Sequence, residues 1–317
     1  MSNCQTEKIK VLFMGTPEFA VPGLLSLINS VNFEVLASYT QPDKKIGRKQ
    51  LISIPPVKRL SIENRIPVFQ PTKLKEETNR IKEIGPDLIV VIAYGKIIPQ
   101  EILDIPKFGC INVHASLLPK YRGSACLNAP IVNGDKETGI TIMKMDAGLD
   151  TGPIIWQEIL TLKDNETLPW LHDKLSELGA SVLPQVLEKY VNNDLKAEKQ
   201  DDNKATYISL LKKEDGKLDF FKPAKEVERM IRGLNPWPGT FAIIDNVELK
   251  IIEAKAENLI IDDKAEFGQL FSQNNRLLVK CGQNYLDILK LQLPGKKVLE
   301  AKDFINGNRH LIGKVLK

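Results

Sequence analysis

With 317 residues, 43% of them hydrophobic and 26% charged, the chain is longer than one core usually organises and is ordinary for a globular protein. Disordered, collagen-like and coiled-coil classes are therefore excluded, and two domains are expected. The net charge of +4 sits wholly in residues 209–317, which hold 19 Lys/Arg against 15 Asp/Glu, while residues 1–208 balance at 25 of each; so mild an excess gives only weak support to an RNA partner.

The run Val11-Leu12-Phe13-Met14 is stopped by Gly15, Pro17 and Glu18, too soon for a signal-peptide core or a membrane span, so a cytoplasmic protein without a membrane partner is expected. The spacing predicts strands at residues 9–14 and 33–38, with a helix at 18–28 on which Phe19, Ala20, Leu24, Leu25 and Leu27 recur at near-helical intervals. Further strands are predicted at 88–93, 109–114 and 138–145, separated by helical segments. Apolar runs alternating with helices argue for a mostly parallel sheet covered on both faces. Residues 168–190, with Leu171, Leu175, Leu178, Val182 and Leu187, read as a long helix despite Pro184. Residues 191–204 are almost devoid of large apolar side chains and read as a linker. The texture then changes. Short strands are predicted at 240–244, 248–254, 276–281 and 285–292, separated by turn signals at Asp245-Asn246, Asn274-Asn275 and Gly282, with one amphipathic helix near 224–232. That pattern suggests a small, largely antiparallel barrel.

The stretch Phe108-Gly-Cys-Ile-Asn-Val-His-Ala-Ser-Leu-Leu-Pro119 carries the chemistry, together with Met145-Asp-Ala-Gly-Leu-Asp-Thr-Gly152. On a strand, Asn112 and His114 project from the same face, and they lie at a carboxyl end, where open α/β sheets bind ligands. Asp150, in a glycine-flanked loop, can be brought to the same crevice. Singly, each residue has a bland reading as a loop or turn hydrogen-bonder. Of the three histidines, however, only His114 is embedded in such a stretch, since His172 lies on the long helix and His310 near the end. Cys4, Cys110, Cys126 and Cys281 form no C-x-x-C pair, and no metal-ligand spacing is present. Gly15 lacks the companions of a dinucleotide-binding G-x-G-x-x-G.

His114-Ala-Ser-Leu-Leu-Pro119, Gly139-Ile-Thr141 and Leu149-Asp-Thr-Gly152 resemble the signature of the folate-dependent formyltransferase and hydrolase family. The resemblance implies an Asn–His–Asp triad at Asn112, His114 and Asp150. It also implies a folate-contacting loop at Ser116, Leu117, Leu118 and Pro119, and a pterin pocket walled by Val90, Ile92 and Tyr94. Phe13-Met-Gly-Thr-Pro-Glu-Phe-Ala20, Tyr39-Thr-Gln-Pro-Asp-Lys-Lys-Ile-Gly-Arg48 and Asn235-Pro-Trp-Pro-Gly239 resemble the tRNA-dependent branch. That branch implies 10-formyltetrahydrofolate as the formyl donor, methionyl initiator tRNA as the acceptor, and no metal. After Tyr121-Arg122-Gly123 the family usually continues Ala-Ala-Pro-Ile-Gln, whereas this chain has Ser124-Ala-Cys-Leu-Asn128, which keeps an amide at 128.

Residues 41–57 are too long for an ordinary connection of about 2–6 residues and hold Lys44, Lys45, Arg48 and Lys49 around Gly47. The resemblance places these four at the tRNA acceptor end, with Arg48 among the residues that recognise it. The expected architecture is α/β: a doubly wound, mostly parallel, Rossmann-like catalytic domain over 1–190, a linker over 191–208, and an OB-like barrel that binds tRNA over 209–317, in a monomer. An amino-sugar-nucleotide formyltransferase or a 10-formyltetrahydrofolate hydrolase would share the triad, but the basic insert favours tRNA. A non-catalytic RNA-binding protein is disfavoured because the second domain shows no aromatic ladder.

Overall fold

The computed structural model describes residues 7–46, 50–259 and 264–317. In chain order the first half comprises β1 (Ile9–Gly15), α1 (Val21–Ile28), β2 (Phe33–Tyr39), β3 (Lys44–Ile46), β4 (Leu51–Ser53), α2 (Pro56–Glu63), β5 (Val68–Phe69), α3 (Thr78–Ile84), β6 (Leu88–Ile92), α4 (Gln100–Leu103) and β7 (Cys110–His114). There follow β8 (Arg122–Gly123), α5 (Ala129–Asn133), β9 (Glu137–Lys144), β10 (Ile154–Thr161), α6 (Leu168–Val191) and β11 (Tyr207–Ile208). The rest comprises α7 (Ala224–Leu234), β12 (Thr240–Ile244), β13 (Val247–Glu257), β14 (Leu270–Gln273), β15 (Arg276–Lys280), β16 (Tyr285–Gln292), β17 (Leu299–Glu300) and α8 (Ala301–Gly307).

Seven strands form one sheet in the order β10-β9-β7-β6-β1-β2-β5. Strands β5, β2, β1, β6 and β7 are parallel, and β9 joins β7 antiparallel. The winding reverses beside β1, so the strand ends of β1 and β6 flank a switch point, the usual crevice of such sheets. Thr16 Oγ1 and Gln41 Nε2 both donate to the Tyr94 carbonyl, each at 3.1 Å, tying the ends of β1, β2 and β6 together. Both faces are covered. On one, Leu12, Met14, Ile89, Val91 and Cys110 pack with Ile81 of α3 and Ile102 of α4. On the other, α6 runs so close to the sheet that a methyl group on Gly179 would lie 3.1 Å from Val113. Pro184 does sit inside α6; burial of Leu171, Leu175, Leu183 and Leu187 on one stripe outweighs the lost backbone bond.

The second sheet has the order β12-β13-β16-β15-β14, with β17 on β16, and these neighbours pair antiparallel. Asp245-Asn246 and Asn274-Asn275 all have positive φ, as tight hairpin turns of the I′ type require. Val227, Ile231 and Leu234 of α7 enter the core. The two edges are bridged by residues 313–317: Lys317 exchanges both backbone bonds with Ile243, while Leu270 and Gly268 pair with Lys314 and Leu316. This bridging closes the sheet into a barrel and, with α8, was not evident from the strand pattern.

Contacts divide the chain into one unit of Met1–Gly123, Thr138–Leu160 and His172–Ile208, and another of Ser124–Glu137, Thr161–Leu171 and Ser209–Lys317. The stretch 191–208 packs within the first unit, where Glu198 exchanges two 2.8 Å backbone bonds with Ile154.

Candidate active site at the carboxyl end of β7

Alternation along β7 puts Cys110, Asn112 and His114 on one face. Cys110 belongs to the apolar layer, and burial pushes its thiol up to about 12. Two and four residues on, at the strand's end, the same face becomes polar. Asn112 is half-buried and His114 only 6% exposed. The His114 ring is gripped from two sides, with Nε2 at 3.0 Å from the Tyr121 carbonyl and Nδ1 at 3.7 Å from Asp150 Oδ2. A carbonyl oxygen can only accept, so Nε2 carries a hydrogen and Nδ1 is the nitrogen that faces the carboxylate. A proton arriving at Nδ1 creates an imidazolium beside a carboxylate, an arrangement suited to taking up and releasing a proton.

Asp150 reaches this position through an unusual backbone, with φ at 54°. Its Oδ2 also accepts from Gly123 N at 2.8 Å. Gly152 has no room for a side chain, since a Cβ would stand 1.8 Å from the Lys144 carbonyl oxygen. Two residues that the sequence reading gave no role complete the support. Gln200 Nε2 donates to the carbonyls of Asp150 and Gly152 at 2.9 and 2.7 Å, and Arg122 donates twice to Gln200 Oε1.

The segment after β7 is equally well held. Thr141 Oγ1 donates to the Ser116 carbonyl at 2.6 Å and accepts from Leu118 N at 3.0 Å, while Gln157 Nε2 reaches both the Leu118 carbonyl and Thr141. Ser116 is fully buried and donates its hydroxyl to the Lys120 carbonyl, and Leu118 is buried too. Leu117 and Pro119 are half-buried, Leu117 lying close enough to β9 that its side chain would meet a Cβ added to Gly139. Val91 is the register partner of Asn112, so Val90 and Ile92 lie on the opposite face from Asn112 and His114. Ile92 is packed at α1, where its side chain would meet a Cβ added to Gly23. Tyr94 is buried on the α3 side; its hydroxyl makes no hydrogen bond among the described residues, and burial, with Glu77 adding to it, pushes its pKa up to about 12.

The profile of the formyl transferases matches residues 7–187, and that of the formyl transferase C-terminal domain matches residues 210–309. The chain belongs to the formyl transferase family. It is 44% identical over 312 residues to the methionyl-tRNA formyltransferase of Caldanaerobacter subterraneus subsp. tengcongensis, covering 98% of this chain and 100% of that one. It is also 44% identical over 313 residues to the methionyl-tRNA formyltransferase of Clostridium perfringens strain 13, with the same coverage. Among solved structures, WlaRD, a sugar 3N-formyl transferase in the presence of dTDP and 5-N-formyl-THF, aligns with a TM-score of 0.67 at 24% identity, over 92% of this chain and 100% of its own. That likeness shows the fold alone.

In this formyl transferase the insert at 41–57 contains a hairpin as well as loop. Strands β3 and β4 pair antiparallel, with Lys44 opposite Ser53 and Lys45 opposite Ile52. Lys44 and Lys45 are exposed, as are Leu51 and Ile52 at 64% and 68%; Arg48 and Lys49 lie outside the described residues. The hairpin is anchored at its base, where Asp43 accepts from Lys58 and Gln70. Those hydrogen bonds, Lys58 first, hold the Asp43 carboxyl below its ordinary value of 3.8. In the second unit Asn128 donates to the Gly233 carbonyl at 2.7 Å, joining α5 to the end of α7, which gives the amide at this atypical position a packing role.

Proposed function

We propose that this chain transfers the formyl group of 10-formyltetrahydrofolate to the α-amino group of methionyl initiator tRNA, acting as a monomer in the cytoplasm, with Asn112, His114 and Asp150 as its catalytic residues. The observation that carries this reading is the His114 ring held between a carbonyl and the Asp150 carboxylate at the end of β7. Identity to the two methionyl-tRNA formyltransferases over nearly their whole length supports the choice of acceptor.

The donor supplies an activated formyl carbon; the new bond forms from the amine nitrogen to that carbon, the bond from that carbon to the folate nitrogen breaks, and one proton passes from the amine to that nitrogen. The amine titrates near about 7.7–8.0 or lower, so the protein need not supply a nucleophile. Its task is to steady the charge that grows on the formyl oxygen, where one preorganised donor is worth about 3–4 kcal/mol, and the Asn112 amide is such a donor. Nε2 of His114 donates to the Tyr121 carbonyl and Nδ1 faces Asp150, so a proton taken up by the ring would sit at Nδ1, where Asp150 stabilises the imidazolium. The surroundings fit a folate. Leu117 and Pro119 offer apolar edges beside the triad, and Ala93 and Gly95, both exposed and of positive φ, leave main chain at the end of β6 open to a polar heterocycle. Lys44, Lys45, Arg48 and Lys49 would meet the acceptor-stem phosphates, and residues 209–317 would hold the body of the tRNA.

Purified protein, incubated with 10-formyltetrahydrofolate and charged initiator tRNA, should yield methionine one formyl group heavier after release from the tRNA. Formylation of a dTDP-amino sugar with none of methionyl-tRNA would overturn the choice of acceptor.

A further inference from the structure

The geometry points to Gln200 as a positioning residue for formyl transfer, its side-chain amide clamping the Asp150 loop so that the carboxylate faces His114; this rests on the reading of Asp150 as a catalytic residue. Gln200 is only 5% exposed, although it falls in a stretch whose composition reads as linker. The Glu198–Ile154 bridge brings it to the loop. Its two amide hydrogens are both used, one on the carbonyl of Asp150 and one on that of Gly152, so it staples the loop on either side of Thr151.

The orientation of the amide is dictated by its other partner. Arg122, 1% exposed, has only donors, and its Nε and Nη2 lie 3.1 and 2.8 Å from Gln200 Oε1. The oxygen must therefore face Arg122 and the NH2 must face the loop. Arg122 is itself fixed by Asp202 at 2.8 Å and by the Tyr207 hydroxyl at 2.9 Å. The next residue, Gly123, gives its N–H to the Asp150 carboxylate. One short segment thus supports Asp150 twice, directly through the Gly123 backbone and indirectly through Arg122 and Gln200.

The loop needs such support because Asp150 occupies the left-handed region, at φ 54°, which residues with a side chain seldom adopt. Its carboxylate also stands at 3.7 Å from Nδ1, a separation at which a shift of about 1 Å is felt in catalysis by orders of magnitude. A purely structural role, supplying the buried Arg122 with an acceptor, would predict loss of stability without selective loss of turnover.

The test is a double-mutant cycle in the full chain, with kcat and KM measured for donor and tRNA and folding followed by Tm. Gln200→Glu keeps the Arg122 partner and removes both amide donors. We expect kcat to fall about tenfold or more, both KM values to stay within about twofold, and the same change in an Asp150→Asn background to lose less than about threefold further. Gln200→Met, close in size and uncharged, serves if the glutamate variant does not fold, with the same expected pattern. Full turnover in the single variants, or an equal loss on top of a crippled Asp150→Asn, overturns the positioning role alone. Full turnover by Asp150→Asn overturns the reading of the site, and this role with it.

Discussion

The carboxyl end of β7 and the β3–β4 hairpin both carry polar side chains, yet they are built in opposite ways. At β7 the polar groups are buried or half-buried and held by partners: His114 hydrogen-bonded to the Tyr121 carbonyl and facing Asp150, Asp150 on Gly123, and Gln200 on the loop. On the hairpin, Lys44, Lys45, Leu51 and Ile52 all face solvent, and the described anchoring bonds lie at Asp43. Under the proposed function, the difference follows from what each would have to do. Groups that act on charge developing at one atom gain by being fixed before substrate arrives. Groups that meet a large polyanion gain by remaining accessible, because their energy comes from counterion release and from burial on binding.

The sharpest break of this comparison is at the triad. His114→Ala and Asp150→Asn should each reduce kcat by at least about a hundredfold while leaving donor binding nearly intact, and the double variant should lose far less than the product. Isothermal titration with a folate analogue beside single-turnover kinetics reads both quantities; multiplicative losses would refute the coupled pair.

The insert at 41–57 should behave otherwise. Arg48→Ala is expected to lower kcat/KM for tRNA by about thirtyfold, the size of a contact hot spot, with Arg48→Lys recovering little. Lys44→Ala and Lys45→Ala should have smaller effects that fade as salt is raised, because exposed charges are screened. Initial rates against tRNA at two salt concentrations distinguish these. Equal, salt-sensitive losses in all three alanine variants would reduce the insert to a non-specific electrostatic patch.

A smaller effect tests whether the apolar side chains matter. Leu51→Ser combined with Ile52→Ser should cost about threefold to tenfold in kcat/KM for tRNA, from lost apolar burial, with Tm unchanged because both are exposed in the free protein. A drop in Tm would mean that they pack within the chain instead.

The smallest expected effect concerns pH. The Asp43 carboxyl is held below its ordinary value of 3.8, so its stabilisation of the hairpin base is present above that value and is lost as pH falls through the lowered one. Hydrogen-exchange protection factors for residues 44–46 and 50–53 should therefore be level from about pH 7 to pH 5 and decline only below the ordinary carboxylate range. In Asp43→Asn that decline should vanish, and its persistence would assign it to another group.

Features governed by short-range geometry were legible in the sequence. Asn112 and His114 share a face because side chains alternate along any strand. The pairs Asp245-Asn246 and Asn274-Asn275 marked hairpins because few residues accept positive φ. Residues 285–292 were read with the bounds that β16 has. The tertiary structure alone decided the rest. Residues 88–92 are all buried, so no polar alternation reveals which face of β6 meets which face of β7, and Val90 and Ile92 could be placed opposite Asn112 and His114 only through the Val91–Asn112 pairing. Gln200 looked like linker because composition measures apolar content, while its burial is sustained by hydrogen bonds to Asp150, Gly152 and Arg122, remote in sequence. The barrel closes through residues 313–317 for a similar reason. Their pairing satisfies edge backbone groups, and backbone groups are the same in every residue but proline, so no side-chain pattern announces where they will pair.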